Sequence, residues 1–208
     1  DGTGGPRLML AAHMDEIGFM VSHVEEAGYL RLLPLGGFDP KTLTAQRVLV
    51  HGREDLLGVL GTKAVHLMSD EEKRTPAKLD DYFVDVGLPA DRVRELVRPG
   101  DVVTRERGMA RLGDLVTCKS LDNRAGLYVM IEAVRALADH ECEVVAVASV
   151  QEEVGLRGAR VAASRLRPRI GLAVDITLAN DGPEAKPHER VTTLGGGAPD
   201  LSVLKGHE

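Results

Sequence analysis

Three short apolar runs limit what this chain can fold into: LMLAA at 8–12, VVAVASV at 144–150 and RIGLAVD at 169–175. Each run is continuous rather than alternating, the pattern of a strand covered on both faces. Between the second and third lies GLRGARVAASRL, which reads as a turn and a helix. Ahead of the second, Leu127, Met130, Ile131, Val134, Leu137 and Ala138 recur at helical spacing and predict an amphipathic helix over 124–138. Strand, helix, strand, helix, strand is the signature of an α/β fold: a mostly parallel sheet with helices on both faces.

The first and second runs are far apart, and the texture between them differs. GFMVSHV, YLRLLPL, QRVLVHG, LLGVLGT, YFVDVGL and DVVTRER are strand-like pieces broken by Gly, Pro and Asp. Their close spacing predicts a small all-β barrel or sandwich. SDEEKRTP reads as a charged connector and PADRVRELV as a short helix. The expected organisation is an α/β domain built from 1–17 and 111–208, interrupted by a β-rich insert over 18–110. DGTGGPRLML runs straight into a strand and LSVLKGHE stops in what reads as an unfinished one, so the chain is read as a fragment.

The apolar runs end on unusual residues. His13 and Asp15 follow the first, Glu152 and Glu153 close the second, and Asp175 ends the third, while Asp122 precedes a helix. Sites in open α/β sheets form beyond the carboxyl ends of the strands. Taken singly, His13 is an ordinary buried histidine, Asp122 an N-cap, Asp175 a turn cap and the glutamate pair a solvated loop. Taken together they crowd negative charge at one sheet edge, which is unfavourable without compensation. Divalent cations remove the conflict, and histidine with carboxylates suits Zn²⁺, Co²⁺ or Mn²⁺. Residues i and i+2 of an extended chain point the same way, so Asp15 is expected behind the His13 ring, fixing its tautomer. Of the adjacent glutamates, one ligates while the other stays free to take a proton from water activated by the cations. Asp122, with two oxygens on a turn, is the natural bridge between two ions.

Composition excludes other classes. Lys and Arg total 26 against 32 Asp and Glu, a net charge of −6 with no dense basic cluster, which argues against nucleic-acid binding. No apolar stretch approaches the ~20 residues that span a bilayer. Cys118 and Cys142 form neither a CxxC knuckle nor a disulfide framework, so a cytoplasmic protein is expected. With no Trp and 3% aromatics, a stacking platform for bases or sugars is not expected.

AAHMDEIGFMV, SLDNRAG, QEEVGLRGA and AVDIT, in that order, resemble the M42 family of dinuclear metallo-aminopeptidases, the tetrahedral or TET aminopeptidases. GVLGTKAVHLMSDEEKRTP resembles the family's inserted domain. The resemblance implies that His13, Asp122 and Asp175 hold one metal and that Asp122 and Glu153 contribute to the second. It also makes Glu152 the general base and Asp15 the residue that orients His13. It implies a cis Asp122–Asn123 peptide, removal of N-terminal residues from peptides, and a β insert that mediates dimerisation toward a hollow homododecamer. A further family histidine ligand has no match here, and neither His188 nor His207 has the expected context. The alternatives are a related di-metal amidohydrolase or deacylase, and a non-catalytic assembly subunit.

Overall fold

The computed structural model describes residues 4–183 and 185–188, and the backbone of Val203–Leu204. The chain divides into two compact units, Asp1–Glu16 with Met109–Glu208, and Ile17–Gly108. The first unit opens with strand β1 (Arg7–His13).

The second unit follows at once. Its strands are β2 (Gly18–Val24), β3 (Leu30–Leu35), β4 (Arg47–His51), β5 (Asp55–Gly61), β6 (Phe83–Asp85) and β7 (Val102–Arg105). They pair antiparallel and close a barrel in the order β2–β3–β6–β5–β4–β7. The alternation in the sequence explains the closure. Val48 and Val50 on β4, Val84 on β6 and Val103 on β7 all turn inward and are fully buried, together with Phe19, Leu30 and Leu60. Two helices interrupt the barrel strands, α1 (Asp70–Arg74) and α2 (Ala90–Leu96). PADRVRELV thus forms the helix expected of it, whereas SDEEKRTP is more than a connector. Ser69 and Glu72 cap α1 reciprocally, the Glu72 N–H donating to Ser69 Oγ at 3.2 Å and the Ser69 N–H to Glu72 Oε2 at 2.7 Å. The S-x-x-E signature of that cap was present in the sequence.

Returning to the first unit, the chain makes a hairpin of β8 (Ala110–Leu112) and β9 (Leu115–Thr117). It then alternates α3 (Leu121–Arg135), β10 (Glu143–Ser149), α4 (Arg157–Leu166) and β11 (Ile170–Ala173), and adds β12 (Val203–Leu204). The sheet order is β10–β1–β11–β12, with β1 parallel to both neighbours and β12 antiparallel to β11. From β1 the chain steps to β10 on one side, then crosses back over β1 to β11. With right-handed crossovers, that reversal puts α3 and α4 on opposite faces of the sheet. The mostly parallel α/β sheet and the separate β barrel read from the sequence are both present.

The expected helix over 124–138 begins earlier and ends at Arg135. There the Ala136 N–H still reaches the Glu132 carbonyl at 2.9 Å, but the Leu137 N–H turns back to Val134 at 3.3 Å. Strand register positions the site: His13 lies opposite Ser149, and Ala11 opposite Ala173. The Val174 N–H continues that pairing to the Ala11 carbonyl at 2.8 Å, so Asp175 arrives level with His13.

Candidate metal centre

His13 is the last residue of β1 and is 3% exposed. Its Nδ1 lies 3.1 Å from the Asp15 carbonyl oxygen and 3.4 Å from Asp15 Oδ1. Asp15 therefore sits behind the ring as its i+2 position predicts, although its backbone oxygen is the nearer partner. The Asp15 carboxylate has a further task that the spacing did not reveal. It accepts the Glu152 N–H at 3.2 Å on one oxygen and the Glu153 N–H at 3.3 Å on the other.

The two glutamates are not a solvated loop. They sit on a tight turn beyond β10 that folds back on itself. The N–H groups of Gly155 and Leu156 both donate to the Glu152 carbonyl, at 2.9 and 3.0 Å. The Gly158 N–H closes onto the Val150 carbonyl at 3.0 Å, an approach so near that a Cβ on residue 158 would lie 2.3 Å from that oxygen. Gln151 enters the turn in the left-handed region, at φ 59°. Glu152 and Glu153 are thereby held half-buried at the sheet edge.

Asp122 comes from the start of α3 but not from regular helix. It has φ −80° and ψ 107°, Asn123 has φ −121° and ψ 35°, and the peptide between them is cis, in line with the resemblance. The N-cap reading of Asp122 does not hold, since Ser120 occupies that position. Asp175 projects just beyond β11, where its Oδ1 accepts the Ile176 N–H at 2.8 Å.

These segments bring the named side chains to one point. His13 Nε2 stands 3.0 Å from Asp122 Oδ1, 3.8 Å from Glu152 Oε2 and 3.9 Å from Asp175 Oδ1. Two overlapping sets, His13 with Asp122 and Asp175, and His13 with Glu152 and Glu153, each have donor atoms within 4.8 Å of one another. With Nδ1–H directed at the Asp15 carbonyl, Nε2 would present a lone pair to carboxylate oxygens. That arrangement is repulsive unless a proton or a cation lies between them. Burial opposes charging of the ring, but the carboxylates of Asp175, Glu152, Asp122 and Asp15 outweigh it and raise the His13 pKa. Burial, then repulsion by Asp122 and Glu152, raises that of Glu153. One imidazole facing several carboxylates in conflict is a donor set that fits divalent zinc, cobalt or manganese. His188 joins neither set, and His207 lies outside the described residues.

Sequence reasoning missed the residues that tie the ligand-bearing segments together. Asn123 is fully buried; its Nδ2 donates to the Val174 carbonyl at 2.7 Å and its Oδ1 accepts the Gly126 N–H at 3.1 Å. It links α3 to the residue just before Asp175. Gly126 has no room for a side chain, because a Cβ there would lie 2.2 Å from Asn123 Oδ1. Glu16 accepts from the Ser120 hydroxyl at 2.6 Å and pairs with Lys119. Burial pushes the Glu16 carboxyl up, yet Lys119 and Ser120 outweigh it and hold the group below its ordinary value. The only signal for these residues was adjacency: Glu16 follows Asp15, and Lys119, Ser120 and Asn123 surround Asp122.

The chain is similar to known aminopeptidases. The chain is 42% identical over 180 residues to a lysyl aminopeptidase of Pyrococcus furiosus, covering 84% of this chain and 52% of that one. A TET aminopeptidase structure from a marine-sediment Thaumarchaeota archaeon matches at TM-score 0.87 and 33% identity, over 92% of this chain and 56% of that one. The Pyrococcus horikoshii TET1 peptidase, described as able to assemble into a tetrahedron or a large octahedral shell, matches at TM-score 0.75 and 33% identity, over 89% and 58%. The chain spans about half the length of the curated relatives it matches. The family model for M42 glutamyl aminopeptidases matches residues 1–203. The chain belongs to the M42 glutamyl aminopeptidase family.

Proposed function

We propose that this chain carries the metal centre of a cytoplasmic metallo-aminopeptidase that releases N-terminal residues from peptides. The observation that carries the reading is the buried His13 ring facing Asp122, Glu152 and Asp175 within 3.9 Å, beside a second glutamate. In this reading His13, Asp122 and Asp175 hold one divalent cation, and Asp122 and Glu153 contribute to a second. When bound, the cations supply Lewis acidity toward a substrate carbonyl and toward water. Glu152 takes the proton from the attacking water and returns it to the departing amine nitrogen. Asp15 serves both sides of that chemistry. Through His13 Nδ1 it fixes the imidazole, and through the two backbone N–H groups it sets the reach of Glu152 and Glu153.

The chain is further proposed to self-associate through its β insert into a homododecamer. Likeness to the Pyrococcus horikoshii peptidase supports self-association, and exposed Leu33 and Leu57 give the barrel apolar surface to cover. Light scattering on a Leu33→Lys, Leu57→Lys variant should then report a smaller mass than the unaltered chain.

The decisive experiment pairs peptides with a free α-amine against their N-acetylated forms, with Zn²⁺ or Co²⁺ supplied. Cleavage of the free peptides alone supports the aminopeptidase. Preference for blocked amides points to a deacylase.

A further inference from the structure

We propose that Glu16 is a positioning residue of the metal centre: its half-buried carboxylate holds Lys119 and Ser120, and through them sets Asp122 beside His13. The proposal rests on the metal-centre reading above.

The start of α3 is irregular at the point where it delivers its ligand. Asp122 and Asn123 both lie outside helical φ and ψ, so helix hydrogen bonding does not set the direction of the Asp122 carboxylate. Something outside the helix must do so. Downstream, Asn123 is anchored to the Val174 carbonyl at 2.7 Å. Upstream, the residue in the N-cap position is Ser120, whose hydroxyl would ordinarily accept an N–H of the first helical turn. It makes no such bond, and Ser120 stands in the left-handed region at φ 63°. Its hydroxyl donates instead to Glu16 Oε2 at 2.6 Å, while Lys119 Nζ pairs with the other carboxylate oxygen. The Glu16 side chain is 13% exposed, and Ser120 is buried. A cap has been given up to fasten this segment to the exit of β1, three residues past His13.

Glu16 therefore sets the separation between two ligands that approach from different elements, His13 on β1 and Asp122 on α3. Outer residues that orient metal ligands typically change affinity by about 10–100-fold when removed. Truncating Glu16 should weaken metal binding within that range, and Gln, which keeps the acceptor for Ser120 but not the charge, should fall between.

The test is Co²⁺ titration of the whole 208-residue chain, followed by its visible absorption, for the unaltered protein, Glu16→Gln and Glu16→Ala. Each Glu16 change is also made in an Asp122→Asn background. Expected is a loss of affinity in the order Gln then Ala, with an altered cobalt spectrum, and no further loss from Glu16→Ala once Asp122 is already Asn. Ser120→Ala breaks the same link from its other end. Should Glu16→Ala fail to fold, a weakened Ser120→Ala carries the result. Unchanged cobalt affinity in these variants overturns the proposal, as does an additive loss in the Asp122→Asn background, which would mark Glu16 as a general structural group. Should the unaltered chain bind no cobalt, the metal-centre reading itself falls and the proposal with it.

Discussion

The barrel unit and the α/β unit bury different things. In the barrel, one continuous cluster from Phe19 to Val103 is buried and, apart from the Tyr82 hydroxyl, apolar. In the α/β unit, the buried hydrophobic residues among those described are Met9, Ala12 and Met130. All the buried polar residues described are there as well: His13, Ser120, Asn123 and Ser149. Apolar burial stabilises without specifying direction, whereas a buried polar group must find its partner in one geometry. The barrel is organised for stability, and the α/β unit spends its interior on aiming side chains.

Perturbing one unit at a time sharpens that contrast. Glu152→Gln should have the largest effect, lowering kcat by about 10²–10⁴-fold as expected for loss of a general base. Metal content and amide exchange in the barrel should stay unchanged. Near-normal kcat, or loss of metal, would reverse the roles assigned to Glu152 and Glu153. Next comes Leu60→Ala, which opens a cavity in the barrel core and should cost about 2–5 kcal/mol there. Faster amide exchange in β4 and β5 with unaltered cobalt affinity is the expected pattern, and a parallel loss of cobalt binding would dissolve the distinction.

A smaller effect works from the other side. Zn²⁺ at 100 times its dissociation constant should stabilise the state that binds it by about 2.7 kcal/mol. Exchange protection should rise in β1, β10 and α3 and not in the barrel strands; equal protection of both units would count against the contrast. Smallest is the acid response of α1. Lys63, then the Ser69 N–H and hydroxyl, lower the Glu72 pKa from 4.5 to about 2. A depressed carboxylate stabilises above its unfolded value, and that contribution is lost as pH falls through the folded one. Amide spectra should therefore show α1 fraying between pH 4.5 and about 2 while the barrel strands hold, and fraying at higher pH would contradict the assignment.

The parts that could be read from the sequence obey short-range rules. Apolar runs at 8–12 and 144–150 became β1 and β10 within a residue or two, and all six strand-like pieces of the insert joined the barrel. That His13, Asp122, Glu152, Glu153 and Asp175 would gather could be expected because each ends or begins an element at the same sheet edge. What escaped were partnerships between side chains and distant backbone. Periodicity reports which face of an element is buried, but not that Asp15 would receive N–H groups 137 and 138 residues away. Nor could it show that Ser120, an ordinary cap by type, would abandon its helix for Glu16. The α1 capping box was a different failure: its signature was local and legible, and the charge run around it hid it.

Strand β1 pairs along its whole length with β10, whose first residue Glu143 meets Arg7 across 136 positions of chain. Closing so long a loop is slow when the intervening chain is unstructured. The barrel shortens it, because β2 and β7, its first and last strands, pair directly with one another, Phe19 opposite Val103. Once the barrel has formed, the loop to be closed falls to roughly 50 residues, which lowers the closure entropy by about 1 kcal/mol. The insert thus acts as a clasp in time: a barrel that gathers its own ends first shortens the chain between β1 and a partner strand that is synthesised 136 residues later.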